Sequence, residues 1–147
     1  MKLLSIVSTL ILLLTSCGEN SDVLFFDANL ESCVREKIFK PYGYLSFDDV
    51  KRVKFLSCSK KKIKSIKGIG KLKNLEELLL HDNEIIDISP LKNLTKLTWL
   101  ELTTNKISNI TYLSSLRNLE QLGFGENFVS ELNSIINLEK ITKLYTK

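Results

Sequence analysis

The residues able to do chemistry are few and far apart. The chain has one histidine, His81, and three cysteines, Cys17, Cys33 and Cys58. A single histidine excludes any two-histidine metal or proton-relay site, and no nucleophile motif, phosphate loop or metal-ligand cluster accompanies it. Asp82-Asn83-Glu84 is polar and acidic but lacks the ligand spacing of a calcium loop. The chemistry to expect is therefore recognition by a surface: no enzyme, no cofactor, no metal.

Cys17 stands in a different context from the other two. Met1-Lys2 gives a short positive start, Leu3 to Leu14 is apolar with three small hydroxyl residues, and Leu14-Thr15-Ser16-Cys17 follows. That is the layout of a secretory signal, with an apolar run short of the roughly 20 residues that span a bilayer. The ending L-T-S-C resembles the lipobox of bacterial lipoproteins. The resemblance implies a signal peptide over residues 1–16, cleavage before Cys17, and lipid (palmitate included) on that cysteine, with 17–22 as lipidated tether. Gly18 in place of an aspartate implies the outer rather than the inner membrane of a bacterial cell envelope. An uncleaved anchor, or an ordinary signal with an incidental cysteine, is the alternative. In such a setting the glycosylation-like Asn93-Leu94-Thr95 and Asn109-Ile110-Thr111 carry no weight.

Asparagine recurs where neither strand nor helix favours it. Asn83, Asn105 and Asn127 stand 22 residues apart, and the apolar positions keep the same step. Leu78, Leu100, Leu122 and Leu144 align, as do Leu80, Leu102 and Phe124; Ile85, Ile107 and Val129; and Ile88, Ile110 and Leu132. An earlier unit runs Val50, Val53, Leu56, Cys58, Ile63, Ile66 and Ile69, with Lys61 at the asparagine position. Leu78-x-Leu80 has the period of a strand buried on one face. Ile85, Ile88, Leu91, Leu94 and Leu97 then step by three, which suits 3₁₀ or extended-turn structure. One coil cannot bury its apolar edge, but stacked coils share a core. In the turn after each strand an asparagine amide can satisfy backbone groups left unpaired by the bend, so Asn83, Asn105 and Asn127 are expected to form a structural ladder. Lys61 cannot accept such bonds, so the first turn should be held differently.

The pattern L-x-x-L-x-L-x-x-N-x-I resembles the leucine-rich repeat, and the I-x-x-I-x-x-L return resembles its bacterial internalin-type subclass. The resemblance covers roughly residues 24–147. It implies an α/β solenoid, a right-handed superhelix with short parallel strands on the concave side and 3₁₀ or irregular return segments on the convex side. It also implies a small helical cap before the repeats, here residues 23–49, with repeats over 50–147 in about 4.5 coils. The composition agrees: 147 residues suit one small domain, 44% hydrophobic content supplies a core, and two prolines and six glycines do not describe a disordered chain. In the cap, Asp27 can open a helix whose Leu30, Val34 and Ile38 share a face. Pro41 and Gly43 end it, and Ser46-Phe47-Asp48-Asp49 has capping-box spacing. With Cys17 lipidated, Cys33 and Cys58 remain as an even pair in an oxidising compartment. They read either as a bridge stapling cap to first coil or as two buried thiols.

If Leu78 and Leu80 point inward, their neighbours face the concave side. The three columns expected there run Phe55, Glu77, Trp99, Gln121, Lys143; Ser57, Leu79, Glu101, Gly123, Tyr145; and Ser59, His81, Thr103, Gly125, Lys147. Trp99, the only tryptophan, is expected to be exposed near the centre, where aromatic anchors of protein interfaces sit. Phe55, Glu77, Leu79, His81, Trp99, Glu101, Gln121 and Tyr145 are therefore the candidate site for a protein ligand. The other candidate surface is basic. Lys60, Lys61, Lys62, Lys64, Lys67, Lys71 and Lys73 cluster at the first coil and could meet anionic lipid or polysaccharide as part of a structural envelope protein. Nucleic acid is not a partner for an exported chain. Leu138, Ile141 and Leu144 begin a fifth coil in which Thr146 replaces an inward apolar residue. A frayed last strand is expected, with weak self-association through its edge.

Overall fold

Each coil contributes one three-residue strand: β1 (Phe55–Ser57), β2 (Glu77–Leu79), β3 (Trp99–Glu101), β4 (Gln121–Gly123) and β5 (Lys143–Tyr145). The computed structural model describes residues 22–146. All strands are parallel, in chain order, and the register sets Leu56, Leu78, Leu100, Leu122 and Leu144 side by side. The first four of these leucines are fully buried, because the period of two points every middle residue into the coil. The chain returns through 3₁₀ turns at Ile69–Lys71, Ser89–Asn93, Thr111–Ser115 and Asn133–Ile135. Ile85, Ile88, Leu91, Leu94 and Leu97 close the same core from that side. This is a leucine-rich-repeat solenoid. One apolar column departs from the pattern. Leu132 is exposed where Ile88 and Ile110 are buried, since the fourth return is covered by a neighbouring return on one side only among the described residues. All three residues of β5 are exposed as well, although the strand pairs in register with β4.

The asparagines reach backward. Asn105 Oδ1 accepts from the Ile85 N–H at 3.0 Å, while its Nδ2 donates to the carbonyls of Leu80 and Leu102 at 3.0 and 2.9 Å. Asn83 repeats this one coil earlier, accepting from Ile63 and Lys61 and donating to Cys58 and Leu80. Asn127 does so one coil later, with Ile107, Leu102 and Phe124. Each amide thus completes its own turn and the turn before it. Lys61 can stand first in the column because no coil precedes it, and Asn83 supplies the bonds its turn needs. Just ahead of each column position, Lys60, Asp82, Thr104 and Glu126 adopt left-handed backbone with φ between 52° and 61°. Asn105 is only 6% exposed. Its replacement by alanine is expected to cost about 1–3 kcal/mol by orphaning buried backbone groups. Lys106→Ala, which removes an exposed ion pair to Glu84, should cost less than about 0.5 kcal/mol. Equal shifts in urea midpoint would refute this account of the turn.

The cap comprises α1 (Ala28–Ile38) and the single turn α2 (Phe47–Val50). Asp27 ties α1 to the first coil. One carboxylate oxygen accepts from the N–H groups of Asn29 and Leu30, and the other from those of Lys64 and Ser65, at 2.8 to 3.2 Å. Burial alone would raise this carboxyl, but the four backbone donors hold it below the usual aspartate value. Ser46 and Asp49 form a reciprocal capping box. The Lys40 ammonium, with the Ser46 backbone and hydroxyl, lowers Asp49 to about 2. Cys33 and Cys58 are joined by a disulfide, with Cα atoms 5.8 Å apart. The segment before α1 lies against the first return so closely that a Cβ at Gly68 would collide with the Leu24 carbonyl. Gly68 also has φ of 105°, which disfavours any side chain there.

Candidate functional site

The parallel register assembles the concave surface directly. Phe55, Glu77, Trp99, Gln121 and Lys143 form one row across the five strands, and Ser57, Leu79, Glu101, Gly123 and Tyr145 form the next. Adjacent strands lie about 4.8 Å apart, so Trp99 has Glu77 on one side and Gln121 on the other, with Leu79 diagonal to it. Phe55 and Tyr145, at the two ends, are exposed, whereas Glu77, Leu79, His81, Trp99, Glu101 and Gln121 are half-buried. Trp99 therefore differs from the exposed position expected of it. A central strand gives a large ring neighbours on both flanks, and its Nε1–H is shielded from solvent with no acceptor among the described residues. An unpaired buried donor is uncommon in a folded protein.

Two features of this surface have no signature in the repeat pattern. Glu101 lies over Gly123, where any Cβ would strike the carboxylate, and its Oε1 accepts from the Thr103 N–H at 2.9 Å. Gly123 thus leaves room for the Glu101 carboxylate to lie across β4. Neither Glu77 nor Glu101 forms an ion pair with any described residue. At the cap end, the Lys37 ammonium sits 5.0 Å from the centre of the Phe55 ring, so α1 borders the concave face. In the sequence, Lys37 stands at the end of the cap helix that Cys33 could staple to the first coil.

The basic cluster is partly neutralised within the chain. Lys61 pairs with Glu36 at 3.3 Å, Lys60 with Asp82 at 3.7 Å, and Lys67 stands over Phe26 at 4.4 Å. Glu84 is lowered chiefly by a hydrogen bond from Lys106, with Lys64 and Lys62 adding smaller charge effects. Cys17 and the leader lie outside the described residues. Among the described residues no helix is long and apolar enough to cross a membrane, and no group of acidic, histidine or cysteine side chains could hold a metal ion.

A family model for leucine-rich repeats (two copies) matches residues 51–93. Among solved structures, an internalin (inlF) of Listeria monocytogenes superposes with a TM-score of 0.81 at 38% identity, over 82% of this chain and 36% of the internalin. Internalin C2 of the same species is 30% identical over 84% of this chain and 75% of its own length, with a TM-score of 0.54. A leucine-rich-repeat protein of Leptospira interrogans is 28% identical over 54% of this chain and 21% of its own, with a TM-score of 0.51. No curated protein sequence matches. The chain belongs to the leucine-rich-repeat family. Within it the chain is similar to the internalins, spanning about a third of the first of them and three quarters of the second.

Proposed function

We propose that this protein is a lipid-anchored bacterial envelope protein that binds a protein ligand through its concave strand face, with Trp99 as central anchor. The observation carrying this reading is the arrangement around Trp99. The lone tryptophan lies mid-sheet with Glu77 beside it, Leu79 diagonal and Glu101 two residues along its own strand; among the described residues neither carboxylate has an ion pair and the indole N–H has no acceptor. Aromatic anchors near the centre of a surface dominate binding energies, and rotation of the ring toward a ligand acceptor would satisfy its donor. The basic-face alternative is weakened by the ion pairs that Glu36 and Asp82 already make with Lys61 and Lys60.

The two halves of this reading separate experimentally. Cys17→Ser should abolish incorporation of labelled fatty acid and release the protein from the bacterial membrane fraction; retention would make the hydrophobic leader itself the anchor. Capture from host and bacterial extracts, with wild type and Trp99→Ala as paired baits, tests the concave face. A ligand held equally by both baits would overturn it.

A further inference from the structure

The loop leaving α1 carries three aromatic side chains that the fold does not use. Phe39 is 93% exposed, and Tyr42 and Tyr44 are each 85% exposed. Surface aromatics scattered singly need no account; three within six residues form a patch, and patches mark contact sites.

The loop is also firmly held. The Arg35 guanidinium donates to the Lys40 carbonyl at 3.2 Å and the Gly43 carbonyl at 2.9 Å, and its Nε is paired with Glu31 at 2.8 Å. The Lys40 ammonium is fixed on Asp49 at 2.8 Å, and Leu45, next after Tyr44, is buried and accepts from the Val23 N–H at 2.7 Å. Phe39 ends the helix with φ of 55°, a left-handed cap that glycine normally occupies. Backbone clamped at this many points, with its rings turned outward, is a surface prepared for contact.

The same Val23–Leu45 bond identifies the occupant. Only five residues lie between Cys17 and Val23, and the six steps, fully extended, reach about 20 Å. If Cys17 carries lipid, as proposed above, the loop beside Leu45 is confined to the neighbourhood of the bilayer surface. Tyrosine and phenylalanine are suited to that depth, with an apolar ring and, in tyrosine, a polar tip. We infer that Phe39, Tyr42 and Tyr44 form a membrane-docking loop that enters the headgroup–acyl boundary of the phospholipid bilayer, seating the cap on the membrane. The inference rests on the anchoring half of the proposed function and is independent of the concave face. Because Lys40 is paired and Lys37 is engaged with Phe55, aromatic burial rather than charge supplies the contact.

The test uses the full chain, isolated from bacterial membranes, reconstituted into vesicles with brominated acyl chains, and carrying Tyr42→Trp in a Trp99→Phe background. Flotation first reports whether the protein is on the vesicles. The indole at position 42 should then emit at shorter wavelength and be quenched by the bromines, on zwitterionic and anionic vesicles alike and in high salt. A protein that floats with the vesicles but keeps water-exposed, unquenched emission overturns the loop while leaving the anchor intact. A protein that does not float overturns both. Quenching on anionic vesicles alone, abolished by salt, would show lysine attraction instead and also overturn the loop.

Discussion

Replacing Cys33 and Cys58 together with alanine is expected to lower the unfolding free energy by about 3 kcal/mol. The bridge closes a loop with sequence separation 25, and the chain-entropy cost of leaving such a loop open is of that size. The effect should exceed loop entropy where it acts on the cap. The cap and the first coil also meet through the Asp27 carboxylate, the Asn29 amide on the Lys62 carbonyl, the Lys61–Glu36 pair, Lys37 over Phe55 and the buried faces of Leu30 and Val34. Hydrogen exchange on the double variant should show α1 losing protection before β2 to β4 do. Urea denaturation with an unchanged midpoint would mean that the cap stays docked without the covalent link. Acid should work on the same region. Asp27 and Asp49 are depressed in the folded chain, so their contribution is present above the unfolded aspartate value near 4. The Asp49 contribution is lost as pH falls toward about 2, and that of Asp27 as pH falls through its own lowered value.

Trp99→Ala is expected to weaken the protein ligand by more than about 2 kcal/mol, roughly thirtyfold in Kd. Because Trp99 is half-buried, the alanine variant will also lose some stability, and affinity must be read well below its melting temperature. Trp99→Phe keeps the ring volume and removes the indole donor, separating packing from hydrogen bonding. Replacing Lys60, Lys61, Lys62 and Lys64 by glutamine should leave the same ligand bound. Loss of every ligand in the lysine variant, with none lost in Trp99→Ala, would move the binding site to the first coil.

The repeat made the solenoid readable because its periods carry distinct physical meanings. Two apolar residues at a spacing of two specify a strand edge, and a run stepping by three specifies a tight return. The strands and returns lie where those periods changed. The bridge between Cys33 and Cys58 was legible as one of two options, since two cysteines allow a single pairing and the sequence does not say whether the fold brings them within bonding distance. The left-handed residues Asp82, Thr104 and Glu126 were not legible, because their side chains share nothing but a position and the constraint lies in the turn around them. Leu132 misled for a related reason: an apolar residue in register is buried only if a neighbouring coil covers it. Trp99 was placed on the correct strand with too much exposure, since alternation gives a side chain's direction and says nothing of how far its neighbours shield it. The outward aromatics Phe39, Tyr42 and Tyr44 lie outside the repeat period, so only their grouping around a proline and a glycine marks them in the chain.

The backward reach of the asparagines gives the solenoid a mechanical polarity. Every turn that Asn83, Asn105 or Asn127 completes across a coil boundary lies on the cap side of that asparagine. Under a force applied at the carboxyl-terminal end, lifting one coil also takes away the amide that closes the coil beneath it. Each rupture therefore prepares the next, and peeling proceeds as an unzipping. A force applied at the amino-terminal side meets the backbone bonds of Val23 and Phe26, then the Asp27 carboxylate that ties α1 to the first coil, and then the disulfide. A protein tethered to its membrane at that side would carry load at its reinforced end.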